Sequence, residues 1–94
     1  MKPPRKIDGA DILEWAWSGE KSFGVVKDCD GNVQAEIFGL AICKYMSSPT
    51  IYRFSCNKSW ETVQDFDYIS MEEAKLRIPL QYKNLPINWN KPLV

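Results

Sequence analysis

Four groups of side chains in this sequence have types and spacings that invite chemistry. They are the cysteines Cys29, Cys43 and Cys56, the segment Asp28-Cys29-Asp30-Gly31-Asn32, the acids between Glu61 and Glu73, and Arg53 among aromatics. Histidine is absent. That removes the commonest general base, the Ser-His and Cys-His nucleophile pairs and the usual zinc ligand. The cysteines have no Cys-x-x-Cys spacing and are odd in number, so a closed disulfide framework is not expected and reduced thiols of a cytosolic protein are. Cys29 stands between two aspartates, whose charge disfavours a thiolate. Cys43 and Cys56 fall on apolar strand faces and read as core fillers. No catalytic or metal constellation and no cofactor site follows from these residues, and an enzyme is the least favoured class.

Asp28 to Asn32 begins like a calcium loop, but such a loop carries glycine at position six and glutamate at twelve. Here Gly31 is fourth and Gly39 twelfth. A hairpin turn explains the segment, because Gly31 and Asn32 tolerate positive φ.

Binding is what remains. Twelve basic against twelve acidic residues give a formal charge of zero, which argues against a uniformly basic nucleic-acid binder. The charge is nevertheless segregated. Lys2, Arg5 and Lys6 stand without an acid in residues 1–7; Glu61, Asp65, Asp67, Glu72 and Glu73 stand without a base in residues 59–74; Lys75, Arg77, Lys83 and Lys91 follow without an acid. Trp60 and Tyr68 are interleaved with the acids. Trp60, Glu61, Asp65, Asp67, Tyr68 and Glu72 are therefore the expected partner-binding set, the acids steering a basic protein surface and the aromatics supplying contact. A solvated strand and helix start is the plainer account of the same acids, and a catalytic carboxylate pair lacks companions. Arg53, between Tyr52 and Phe54 with Lys58 nearby, supports the alternative of a nucleic-acid or small-ligand module on its sheet face. A cross-strand ion pair with Glu36 or Glu61 is the role expected of Arg53 itself. Trp15, Trp17 and Trp89 suit a pocket or the edge of a homodimer, since four tryptophans in so small a chain cannot all be fully buried.

These groups must be positioned by a single α+β domain over residues 1–94: an antiparallel sheet of four or five strands with one C-terminal helix packed on one face. Pro3-Pro4 makes residues 1–10 an extended arm. Residues 11–17 fit either a strand, with Leu13, Trp15 and Trp17 on one face, or a helix capped by Asp8 or Asp11 and stopped by Gly19; the short length and the aromatics favour the strand. Residues 18–21 read as a hairpin loop into Phe23–Val26, and Val33 to Tyr45 as one long strand, apolar on both faces from Ile37 to Cys43 and marked by a bulge at Gly39. Thr50 to Cys56 sets Tyr52, Phe54 and Cys56 against Ile51, Arg53 and Ser55. Trp60–Val63 reads as a short strand. Ser70-Met71-Glu72-Glu73 is a capping box opening a helix over 70–78, with Met71, Ala74 and Ile78 inward and Pro79 as its stop. The tail, residues 85–94, alternates Leu85, Ile87 and Trp89 and either adds an edge strand or packs Trp89 on the core.

No apolar run approaches the roughly 20 residues of a membrane span, and the first residues lack the apolar stretch of a signal peptide. A strand with tryptophan, an acidic turn and Ser70-x-x-Glu73-Ala74-Lys75 opening a helix, residues 50–78 in all, resembles small bacterial and phage-borne domains. Some of these are immunity or inhibitor proteins, and the resemblance implies no residue roles. The expectation is a cytoplasmic, non-enzymatic protein-binding domain without cofactor, whose partner is another protein, basic where it meets the acids; a homodimer is compatible with the sequence.

Overall fold

A computed structural model describes residues 2–83 and 85–92. The first element is set by a turn. Asp8 and Gly9 have φ of 50° and 82°, the pair of positive values a type I′ hairpin turn requires. Strand β1 (Lys6–Ile7) folds back on β2 (Ala10–Trp17), with Ile7 opposite Ala10. The extended arm expected over residues 1–10 is thus cut short at Arg5, and Ile7, only 4% exposed, joins the core.

Residues 11–17 are strand, as expected, but one face is redrawn. Ile12 pairs with Cys43 and Glu14 with Ile42, leaving Leu13 as an extra residue. The bulge turns Leu13 to the other side of the sheet. Leu13 packs with Ile42, Ile51 and Ala74, whereas Trp15 and Trp17 pack with Ile12, Ala41 and Trp60.

From Trp17 the chain leaves this sheet. Strands β3 (Gly24–Lys27) and β4 (Val33–Ile37) form a separate two-stranded ribbon. Its turn is the expected one: Asp28 Oδ1 accepts from the N–H groups of Asp30 and Asn32, and Gly31 has φ of 83°. Strand β5 (Gly39–Lys44) returns to the centre of a five-stranded antiparallel sheet, order β1-β2-β5-β6-β7, with β6 (Ile51–Cys56) and β7 (Thr62–Tyr68). Two expectations change here. Residues 18–21 connect two sheets rather than close a hairpin. The long strand over 33–45 breaks at Phe38, whose N–H donates to the Cys56 carbonyl and whose carbonyl accepts from the Ser18 N–H, both at 2.9 Å. The chain therefore turns the corner without orphaning backbone groups. Gly39, at the corner, lies under an indole: a Cβ there would stand 2.5 Å from Trp60 Cζ3.

The sheet has a thick face and a thin one. On the thick face, Ala16, Leu40 and Ile42 meet the β3–β4 ribbon, helix α1 (Met71–Leu76), a 3-10 turn over Leu80–Tyr82 and the tail. Ser70 caps the helix, its Oγ accepting from the Glu73 N–H at 3.1 Å. Glu73 does not close the box; its carboxylate accepts from Arg77 Nε at 3.0 Å. The helix ends at Leu76, earlier than expected; Ile78 is buried after it, and Pro79 restarts the chain as the 3-10 turn, which buries Tyr82. Of the tail, residues 93 and 94 lie outside the described residues. The rest half-buries Leu85, Ile87 and Trp89, and a single bridge joins Asn90 to Trp15, with N–H to carbonyl distances of 3.0 and 2.7 Å.

Glu14 ties these pieces together. It is 7% exposed on the thick face and accepts from Lys75 Nζ at 2.9 Å and Lys91 Nζ at 3.4 Å. Burial alone raises its pKa, but the two ammonium groups outweigh burial and hold it below the ordinary carboxylate value. A folded-state pKa below the unfolded one contributes stability above the unfolded value, and that stability is lost as pH falls through the folded one. Glu14→Gln should therefore be less stable than wild type at about pH 7, and the difference should close as denaturant melts are taken down through the carboxylate range. Gly39→Ala should cost roughly 1–3 kcal/mol by overpacking and should alter the tryptophan near-ultraviolet dichroism.

Candidate partner-binding edge

β7 is the last strand of its sheet, and no described residue pairs with its outer side. It is longer than the expected strand over 60–63, because the period-two alternation continues through the acids to Tyr68. Register with β6 assigns the faces. Asp65 lies opposite Phe54 and Asp67 opposite Tyr52, on the thin face; Phe66 lies opposite Arg53 and Tyr68 opposite Ile51, on the helix face. Asp65, Phe66 and Asp67 are all exposed, Phe66 at 45%, and Ile69, just beyond the strand, at 91%.

The six expected contact residues do not form one surface. Asp65 and Asp67 stand together on the outer strand. Glu61 is exposed, but its carboxylate accepts from Asn57 Nδ2 at 2.9 Å in the turn before β7. Tyr68 is half-buried on the opposite face, and Glu72 is exposed in the first turn of α1. Trp60 is corrected outright. It is not in a strand; its φ is 61° and its side chain is 6% exposed. The indole sits on the thin face, 5.4 Å from Trp17 and 6.2 Å from Trp15 between ring centroids. The turn that delivers it is built by Asn57, whose Oδ1 accepts from the N–H groups of Ser59 and Glu61. Phe66, which the sequence reading omits, is the aromatic residue that β7 exposes.

Arg53 is also corrected. Its side chain is 1% exposed, and no ion pair to Glu36 or Glu61 forms. Nη1 donates to the Ala74 carbonyl at 2.9 Å, and the guanidinium lies 5.1 Å from the Tyr68 ring and 5.9 Å from the Phe66 ring. Burial lowers its pKa, opposed by Tyr68 and Tyr82. The sheet face bearing Arg53 is covered by α1, so this side chain is withdrawn from any surface ligand. Trp89 likewise packs inward, with Lys75 Nζ 5.6 Å from its ring centre.

The thiols are free, Cys29 exposed and the other two buried. Burial raises both buried thiols, Cys56 to about 12, which keeps them protonated. Among the described residues no three of His, Cys, Asp and Glu gather as metal ligands.

Arg53→Ala should remove a buried volume and orphan the Ala74 carbonyl together. A loss of about 2–4 kcal/mol is expected in urea melts, against under about 0.5 kcal/mol for the exposed Glu72→Ala. Set against known proteins, the chain matches no family model, no curated protein and no solved structure.

Proposed function

We propose that this chain is a small non-enzymatic protein-binding domain that meets a basic partner protein along the open edge of β7; in its most concrete form it is a cytoplasmic immunity or inhibitor protein. The observation that carries this reading is one seven-residue edge strand exposing two carboxylates and a phenylalanine. In an antiparallel sheet, alternate backbone groups of an edge strand point away from its neighbour and present a template for another strand. A partner strand laid there would set side chains opposite Asp65 and Asp67 on one face and opposite Phe66 on the other. Lys or Arg opposite the acids and apolar groups opposite Phe66 complement both faces.

A second copy of this chain fits poorly. Antiparallel pairing of two β7 strands about Phe66 sets Asp65 against Asp67 twice, and like charges directly opposite are destabilising. The alternative based on Arg53 loses its surface, because that residue is buried. A membrane role finds no support in the helices: none among the described residues is long and apolar enough to cross a bilayer.

The test is kinetic. A partner captured from the native host is titrated against wild type and the Asp65→Lys/Asp67→Lys variant. The variant should fold normally and associate about tenfold more slowly. Raising salt from about 0.05 to 0.5 M should slow wild type, as the Debye length shrinks to about 4 Å. Association indifferent to both changes would remove β7 from the interface.

A further inference from the structure

At the opposite end of the strand order from β7, the chain preceding β1 leaves a cleft of about 660 Å³. Ile12 and Trp15 of β2 line it, together with Pro3, Pro4 and Pro92. Proline has a fixed φ and no rotamer freedom to lose, so these prolines need little ordering when a ligand enters. The polar lining is lopsided. Lys2, Arg5 and Lys6 face one carboxylate, Asp11, and Asp11 is taken by Lys6 at 3.6 Å. Among the described residues Lys2 and Arg5 have no partner. Two cations are left uncompensated beside a half-exposed indole, in a chain whose formal charge is zero.

We propose that this cleft binds a small planar aromatic phosphate, of the nucleoside monophosphate class. The volume lies in the range of roughly 300–1,000 Å³ usual for small-molecule sites. The two free cations match the charge of a phosphate monoester, which approaches −2 at neutral pH. Arg5 has the planar donor fork that grips phosphate through two hydrogen bonds, and Lys2 adds a point charge. Trp15 supplies the flat apolar surface on which a base stacks, an interaction of about 1–3 kcal/mol. Its indole Nε1–H already donates to the Lys91 carbonyl at 3.2 Å, which fixes the ring in place. A single-stranded polymer is the lesser fit, since such binders track the backbone with a basic groove over about 4 or more nucleotides, and among the described residues two free cations line this cleft. The inference does not depend on the protein-binding role of β7.

The experiment uses the full chain and adenosine monophosphate, with the Trp15 indole N–H resonance as the reporter. A saturable shift is expected, with Kd roughly between 10 µM and 1 mM. Adenosine without its phosphate should bind at least about tenfold more weakly, which is one 1.4 kcal/mol step. The Lys2→Ala/Arg5→Ala variant should lose about the same factor with the remaining spectrum unchanged, since both side chains are exposed and unpaired. Trp15 unmoved at about 5 mM nucleotide, adenosine binding as well as its phosphate, or a double variant indistinguishable from wild type would each overturn the proposal. So would an eight-nucleotide single strand that binds about a hundredfold more tightly than the monophosphate, because the cleft would then be part of a nucleic-acid groove.

Discussion

A guanidinium that is 1% exposed and has no counter-ion among the described residues must be accommodated from several sides, and Arg53 dictates how its neighbours are arranged. An unpaired buried charge is costly unless hydrogen bonds and polarisable groups replace its water. One replacement is the Ala74 carbonyl. It belongs to the last turn of α1, where carbonyls lack helical partners and the helix dipole is negative. The others are the rings of Tyr68 and Phe66, each worth about 0.5–2 kcal/mol as a cation–π contact. A six-residue helix has no stability of its own; packing of Ala74 and the bond from Arg53 hold it against β6. The same cation anchors the helix-side residues of β7, so the outer strand is held on its inner side while its outer edge stays open.

The thin face follows a different constraint. Among the described residues no helix packs on it, and one indole does much of the covering. Trp60 reaches it from a left-handed backbone conformation that costs a non-glycine residue of order 1 kcal/mol or more. The Asn57 turn and the burial of a large ring against Trp15, Trp17 and Gly39 offset that cost. Only glycine at position 39 allows the approach, and the strand bends away at Phe38 where the two sheets part. The aromatic that looks most like an interface anchor in the sequence is thereby committed to structure, and Phe66 takes the exposed position.

What is legible in the sequence is local chemistry. The Asp28–Asn32 turn, the Ser70 cap, the two-sided apolar run through Leu40 to Cys43 and the alternating faces of Ile51 to Cys56 each depend on a few adjacent residues. What is not legible depends on partners far along the chain. Nothing in residues 18–23 says that β2 pairs with β5 rather than with β3. The bulge at Leu13 is invisible until β5 is in register. A buried arginine without an acid leaves no mark in the sequence, because its partners are a carbonyl 21 positions away and two rings from the next strand. Two features lie within reach and are obscured by neighbours. Asp8-Gly9 is a strong hairpin signal beside an arm marked by Pro3-Pro4, and the alternation Gln64-Asp65-Phe66-Asp67-Tyr68 reads as a turn because two of its members are charged.

The two sides of the sheet are finished differently. β1 is two residues long, and beyond it the outer side of β2 is bridged by the tail at Asn90. Short edge strands and covering segments are general ways to prevent sheets from adding to one another. β7 has neither: it is seven residues long and uncovered among the described residues. Its protection is Asp65 and Asp67, and charge protects selectively. It repels an identical strand and attracts a basic one, whereas shortness or a cover would block both. Such selectivity would suit a domain that has to avoid pairing with its own copies before it meets a partner, as the proposed contact along β7 requires.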